Sequence, residues 1–310
     1  MELVQCVPNF SEGRDATVID AIVAAAASVP RVRVIDYSAD PDHNRLVVTL
    51  VGPPEAVGAA TFAAAMVAIA RIDLTRHMGQ HPRMGAVDVI PFTPLEQTEM
   101  ATCVRIARRL GQRIGGELGV PVYFYEEAAT RPERRSLVWV RGGGFEALRN
   151  LPLADERAPD AGPPRVHPTA GAVAIGARPP LIAFNVNLDT TSVEVARAIA
   201  RRVRERDGGL VGVRALGFDL TSRGHVQVSL NITEPWRVPL YRVFEVVRLE
   251  AQRFGVAVTG SELVGALRLE DLLEVARYYL GLHGLQASQV LDLAIANAGS
   301  AMEDGEPASG

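Results

Sequence analysis

The sequence contains no lysine, and all 32 basic residues are arginine. That absence removes Schiff-base and pyridoxal-phosphate mechanisms, together with the lysine of Walker-type phosphate loops. Cysteine is almost absent as well. Cys6 and Cys103 lie too far apart to make a metal-ligand spacing, and the apolar run around Cys6 predicts a buried free thiol. The first residues, Met1 to Phe10, have neither the basic stretch nor the apolar core of a signal peptide. The longest low-polarity segment, Ala56 to Ala70, is shorter than the roughly 18–20 residues that a membrane span requires. The expectation is a reduced, cytoplasmic protein that binds no membrane. A net charge of −4 argues against a nucleic-acid partner. No G-x-S-x-G elbow, P-loop or G-x-G-x-x-G following a strand occurs, so neither a serine nucleophile nor a bound nucleotide is indicated.

What is present suffices for a large core: 310 residues, 48% of them hydrophobic, which is one large domain or two ordinary ones. Leu3–Val7 reads as a strand, and Asp15 as the cap of a helix carrying Val18, Ile19, Ile22, Val23 and Ala26 on one side. Strands follow near Val32–Tyr37 and Leu46–Val51, joined by a turn at Ser38–Asp42. A proline-initiated helix spans Pro54 to about Ile72, and a strand spans Ala86–Phe92, ending at Pro94. Helix Glu99–Leu118 and strand Val120–Tyr125 come next. Arg131 to Pro168 has no sustained period and reads as the connection between two halves.

The same order then recurs: strand Leu181–Leu188, helix Ser192–Arg206, strands Gly212–Leu220 and His225–Ile232, a helix with Leu240, Phe244, Val247, Ala251 and Phe254 at helical spacing, and strand Val256–Thr259. Val226, Val228, Leu230 and Ile232 alternate with Gln227, Ser229 and Asn231. Two βαββαβ runs predict an α+β protein of two ferredoxin-like subdomains, each with helices packed on a sheet face. The expected division is 1–178, 179–298 (ending in helices Glu270–Leu280 and Ser288–Asn297) and a loose tail, 299–310.

Polar residues cluster in two loops. The first runs Asp36-Tyr-Ser-Ala-Asp40-Pro-Asp42-His43-Asn44-Arg45, and the second Arg76-His77-Met-Gly-Gln80-His81-Pro82-Arg83-Met-Gly85. Such loops on a rigid sheet carry function. His81 is stiffened by Pro82, and Asp88 on the next strand is placed to fix its tautomer. An ordinary imidazole pKa near 6.5 suits acid–base work. The alternative is a surface or core histidine held by a neighbour. His77 and His81 have the spacing of zinc ligands on a helix, but the intervening glycine, the following proline and the lack of an HExxH glutamate oppose that reading. Arg45 and Arg83 are candidates to hold carboxylates. Arg178, Asn185 and Asn187 are further substrate-binding candidates, the two asparagines sharing one face of their strand. Gly142-Gly-Gly144 reads as a turn.

Several motifs together resemble glutamate formiminotransferase: Val7-Pro-Asn-Phe-Ser-Glu-Gly13, Asn44-Arg45, His81-Pro-Arg-Met-Gly85, Asp88-Val-Ile-Pro-Phe92, Pro121-Val-Tyr123, Ala183-Phe-Asn-Val-Asn-Leu188, Gln227-Val-Ser229 and Thr259-Gly-Ser-Glu-Leu-Val-Gly265. The resemblance extends in order from about Leu3 to Leu280. With no cyclodeaminase half following, it implies a stand-alone transferase. It further implies that His81 is the catalytic histidine, and that Gly162, Pro163, Pro164, Arg165, Val166, His167, Pro168, Thr169, Ala170 and Gly171 line a folate site. Substrates would be N-formimino-L-glutamate and tetrahydrofolate, the latter a co-substrate, with neither metal nor nucleotide, in a homodimer. Asp36 or Asp40 would meet the pterin amino groups, and Asn44 is a further substrate-binding candidate. Gln80 and Ser38 depart from the mammalian pattern, which has glutamate and aspartate there. Alternatives are formyl transfer, another formimino amino acid, a metal-dependent hydrolase, and a non-catalytic folate-binding module.

Overall fold

The computed structural model describes residues 1–150, 152–220 and 223–296. The chain divides into two compact units: Met1–Pro180 with Phe218–Gly224 and Leu263–Ala266, and a second comprising Leu181–Gly217, His225–Glu262 and the chain from Leu267 on.

In the first unit, β1 (Leu3–Cys6) and β2 (Asn9–Phe10) occupy one position in the sheet, between β4 (Arg45–Gly52) and β5 (Val87–Leu95); β3 (Arg33–Asp40) pairs with β4. These pairings are antiparallel. Beyond β5 lie β7 (Val173–Ala177) and β6 (Val122–Glu126), both added in parallel. Helix α1 (Ala16–Ala27) starts where expected, because the Asp15 carboxylate accepts from the amides of Thr17 and Val18 at 2.9 and 3.3 Å. It buries Val18, Ile19, Ile22 and Ala26. Helix α2 (Pro54–Arg71) has alanine at half of its buried positions, so that α1 and α3 (Met100–Glu117) approach it closely. Cys6 and Cys103 are buried free thiols, each pushed up to about 12 by burial and therefore unreactive at neutral pH.

Four expectations change. The strand β3 continues to Asp40, so the turn is shifted to residues 41–44. Pro94 does not end β5: it lies opposite Val4, because a proline removes only the one bond its nitrogen would have donated. The strand β7 had no counterpart in the sequence reading. It is buried throughout and flanked on both sides by parallel strands, a setting that gives a continuous apolar run without alternation.

The segment read as a connection is part of the core. Side chains alternate along the three parallel strands: Val122, Phe124, Val173 and Ile175 join the helical core, while Tyr123, Tyr125, Ala172 and Ala174 face the other way. That second face is covered by Val140, Leu148 and Leu153, carried by α4 (Leu137–Arg141), α5 (Gly144–Arg149) and the chain after them.

In the second unit the strand order is β11 (Val258–Val264), β8 (Ile182–Leu188), β10 (His225–Ile232) and β9 (Val213–Leu220). Val226, Val228, Leu230 and Ile232 are buried with Ile199 of α6 (Val193–Val203) and Val243 and Val247 of α7 (Leu240–Arg253). Helix α8 (Leu269–Leu280) follows; of the second expected terminal helix, residues 291–296 are helical and Asn297 lies outside the described residues, as does 299–310. Among the described residues, no helix is long and apolar enough to cross a membrane.

Candidate functional site

The two polar loops meet over the end of the first sheet, and Asn44 is the knot between them. It is buried, with φ +49°, a conformation its short amide tolerates better than most side chains. Its Oδ1 accepts from the Gly13 amide at 2.9 Å, and its Nδ2 donates to the Met78 carbonyl at 3.0 Å. The Asn44 carbonyl accepts from His77 Nε2 at 2.9 Å. Gly79 is required here, since a Cβ would collide with the His43 carbonyl and stand 2.8 Å from Asn44 Cβ. His77 is thus a structural histidine committed to the backbone, and burial lowers its pKa.

His81 follows on this anchored loop, its side chain 14% exposed. Arg45 Nη1 lies 3.4 Å from its Nδ1, and Arg141 Nη2 3.5 Å from its Nε2. Asp88 Oδ2 is 3.9 Å from Nε2, too far for a hydrogen bond. Instead Asp88 is ion-paired and hydrogen-bonded to Arg141, and its other oxygen accepts from the Met84 amide at 2.8 Å. The His43 ring stands edge-on to His81, centroids 6.3 Å apart, and edge-on to Phe218 at 4.8 Å. Burial, then the charges of Arg45 and Arg141, hold the His81 pKa well below the ordinary value. The imidazole is therefore not an ordinary one, because its surroundings favour the neutral form.

The segment 162–171 reaches the same place. His167 closes a tight turn, exchanging backbone bonds with Gly171 at 3.0 Å in each direction and accepting the Ala170 amide on Nδ1 at 3.0 Å. The Thr169 carbonyl accepts from the Leu74 amide, and that of Ala170 from the Ala86 amide, each at 2.9 Å. Gly171, with φ +71°, passes so close to the Met84 carbonyl that no side chain fits. Both ends of the histidine loop are thereby sewn to this segment. Its middle is more open: Gly162, Pro164, Arg165 and Pro168 are exposed, and Pro163 and Val166 partly so.

Other candidates have different surroundings. Arg83 is occupied: its guanidinium donates to both Glu146 oxygens at 2.8 and 3.2 Å and to the His77 carbonyl at 3.0 Å. Glu146, with Arg83 as its bonding partner, is held below the usual carboxylate range. Asp40 caps the turn, accepting the Asp42 and His43 amides at 2.8 Å and a guanidinium N–H of Arg223 at 3.0 Å. Burial pushes the Asp40 carboxyl up, but the His43 contacts, Arg223 and the Asp42 amide outweigh it and leave the pKa lowered. Asp36 is exposed on β3. Arg178, at the end of β7, donates from its backbone to the Phe92 carbonyl at 2.9 Å and from Nη1 to that of Pro179 at 3.1 Å. Asn185 and Asn187 belong to the second unit, where Asn185 donates to Glu262 at 3.1 Å and Asn187 accepts from Gln227 at 3.0 Å. Among the described residues, no group of three or more His, Cys, Asp or Glu is placed to hold a metal ion.

Arg141 and Glu146 went unnoticed in the sequence. Their only signal was a charged residue on each side of Gly142-Gly-Gly144, which is a bend that brings Arg141 to Asp88 and the Phe145 amide to the Arg83 carbonyl at 2.9 Å.

Comparison with known proteins decides the family. The formiminotransferase domain, N-terminal subdomain, matches residues 3–178, and the formiminotransferase domain matches 183–303. The chain belongs to the formiminotransferase family. It is 47% identical over 279 residues to glutamate formimidoyltransferase of Streptococcus pyogenes, covering 90% of this chain and 93% of that one. To the Thermoplasma acidophilum protein of the same name it is 48% identical over 294 residues, covering 94% and 97%. The mouse formimidoyltransferase-cyclodeaminase is 44% identical over 284 residues, 90% of this chain but 52% of that longer one.

Proposed function

We propose that this protein is a glutamate formimidoyltransferase, moving the formimino group between N-formimino-L-glutamate and N5 of tetrahydrofolate. The observation that carries this is the junction of the His81 loop with segment 162–171, inside a chain matched by the formiminotransferase family over nearly its whole length. N5 attacks the amidine carbon, forming the C–N5 bond. N5 loses its proton to neutral His81, and the imidazolium returns a proton to the glutamate nitrogen as the C–N bond breaks. N5 becomes far more acidic once bonded to that carbon, so a weak base suffices. The same lowered pKa makes the imidazolium a stronger acid toward the departing nitrogen. Segment 162–171 holds the folate, and fixing both substrates lowers the entropy cost of their encounter.

Arg45, beside His81, is the residue proposed for a substrate carboxylate. Arg45→Ala is expected to raise KM for formiminoglutamate by about tenfold or more, the loss of one charge-assisted bond. Arg83, already paired, is expected to behave differently. Arg83→Ala and Glu146→Ala should each cost under about 1 kcal/mol of stability, as a partly exposed pair does, with matching kinetics. A KM increase confined to the Arg83 variant would return Arg83 to the substrate.

The remaining assignments stand on the same reading. Asp36 is proposed at the rim, Asp40 and Asn44 shape the loop, and Arg178 is a further substrate contact; Asn185 and Asn187 are proposed as substrate-binding residues within the second unit. The strand orders β5-β1-β4-β3 and β11-β8-β10-β9 both follow fourth-first-third-second, which supports two ferredoxin-like subdomains divided near 178. We read the enzyme as a cytoplasmic homodimer acting on small molecules alone. Steady-state comparison of formiminoglutamate, formylglutamate and formiminoglycine tests the donor; faster use of either of the others would replace it. Protein stripped with chelator, and checked by elemental analysis, should transfer at full rate, whereas activity restored only by a stoichiometric metal would support a hydrolase-like site.

A further inference from the structure

Asp88 lies where a carboxylate would ordinarily raise the pKa of a neighbouring histidine, and it does not reach that histidine. The carboxylate is 3.9 Å from His81 Nε2, while Arg141 bonds Asp88 directly and stands 3.5 Å from the same ring nitrogen. The Asp88 side chain is 2% exposed and Arg141 21%, so their charges act on the imidazole through protein more than through water. We propose that Arg141 is a positioning residue for His81: by holding the Asp88 carboxylate it keeps the imidazole uncharged and fixes the pH at which His81 exchanges its proton. This rests on His81 being the proton carrier of the transfer proposed above.

All sides of the ring bear on the argument. Arg45 on β4 faces Nδ1, Arg141 at the end of α4 and Asp88 on β5 face Nε2, and His43 and His77 come from the two loops. Of these groups Asp88 alone is acidic, and it is the one that Arg141 engages. A neutral imidazole has a single acceptor nitrogen, and a guanidinium faces each of its two nitrogens, Arg45 at Nδ1 and Arg141 at Nε2. Without Arg141 the Nε2 edge would face an uncompensated carboxylate, which stabilises the imidazolium.

The test is a pH titration of histidine ring signals by NMR in the intact protein, with His81→Gln identifying the His81 resonance. Arg141→Gln is expected to move the His81 midpoint upward by about one pH unit or more. Arg141→Lys, which keeps a cation, should stay nearer the wild type. Asp88→Asn, which retains an acceptor for the Met84 amide, should move the midpoint the other way or leave His81 uncharged across the range in which the protein stays folded. An unchanged or lowered midpoint in Arg141→Gln would overturn the proposal, as would identical shifts in the Gln and Lys variants. Should Arg141→Gln not fold, a raised midpoint in Asp88→Asn overturns it alone. The midpoint is read without turnover. Failure of formimino transfer in the wild-type enzyme would therefore be a separate result.

Discussion

His81→Ala is expected to lower kcat by about 10²-fold or more, roughly 2.7 kcal/mol of transition-state stabilisation, with little change in folate affinity. The ring is proposed to carry a proton and to anchor neither substrate. The pH profile provides a second signature. Because burial and the charges of Arg45 and Arg141 hold the pKa well below its ordinary value, the basic form is already dominant at pH 7. The wild-type kcat/KM should therefore be flat through pH 6.5 and fall at lower pH, as the ring takes up a proton; that acid limb should be missing in the alanine variant. His77→Ala is the comparison. Its ring bonds the Asn44 carbonyl, so the variant should lose stability and retain the acid limb. Near-normal turnover in folded His81→Ala would move the chemistry to His43 and the 36–42 loop.

Arg134→Met is expected to destabilise the fold by about 3–5 kcal/mol, the usual cost of removing one partner of a buried ion pair. Arg134 is fully buried, bonded to Asp160 at 2.6 Å and to the carbonyls of Glu156 and Ala158 at 3.0 and 2.5 Å. Removing it strands the Asp160 carboxylate, which also accepts the Phe124 amide at 2.8 Å. Asp160 stands two residues before segment 162–171, so KM for tetrahydrofolate should rise more than KM for formiminoglutamate. Adding Asp160→Asn should recover part of the stability, since no carboxylate is then left unpaired. Urea unfolding of the three proteins gives these values. A loss below about 1 kcal/mol, or equal KM changes for the two substrates, would mean that the pair does not position the segment.

Much of this was legible in the residues. The cap at Asp15, the proline at the start of α2 and the alternation in β10 are local signals, and each element formed where its signal stood. The loops bearing His43 and His81 were equally visible, because glycine, proline and clustered polar residues mark a non-repetitive backbone. The strand β7 was not visible. A short run of small apolar residues between two glycine- and proline-rich stretches has no period, and only its neighbours β5 and β6 make it a strand. The segment from Arg131 failed for a related reason. Its helices are three to six residues long, too short to show a repeat, and Val140, Leu148 and Leu153 reveal their purpose only against the far face of the sheet.

By itself the sequence determined the absence of lysine chemistry, the repeated βαββαβ order, the loop histidine and the family resemblance; these depend on residue type, spacing and order along the chain. Tertiary structure alone decided how each charge is used. Arg45 and Arg83 looked equivalent, both guanidinium groups next to a polar loop, yet Arg83 is bound to Glu146, 63 positions away, and Arg45 lies against His81. Arg141, 60 positions from His81 and unremarkable in its own stretch, stands beside the ring, and Asp88 is turned to it. The physical reason is that composition fixes how many charges a chain carries, but the strength and partner of each depend on distances of a few ångströms and on exclusion of water. Only the packed sheet and the loops sewn across its end supply those.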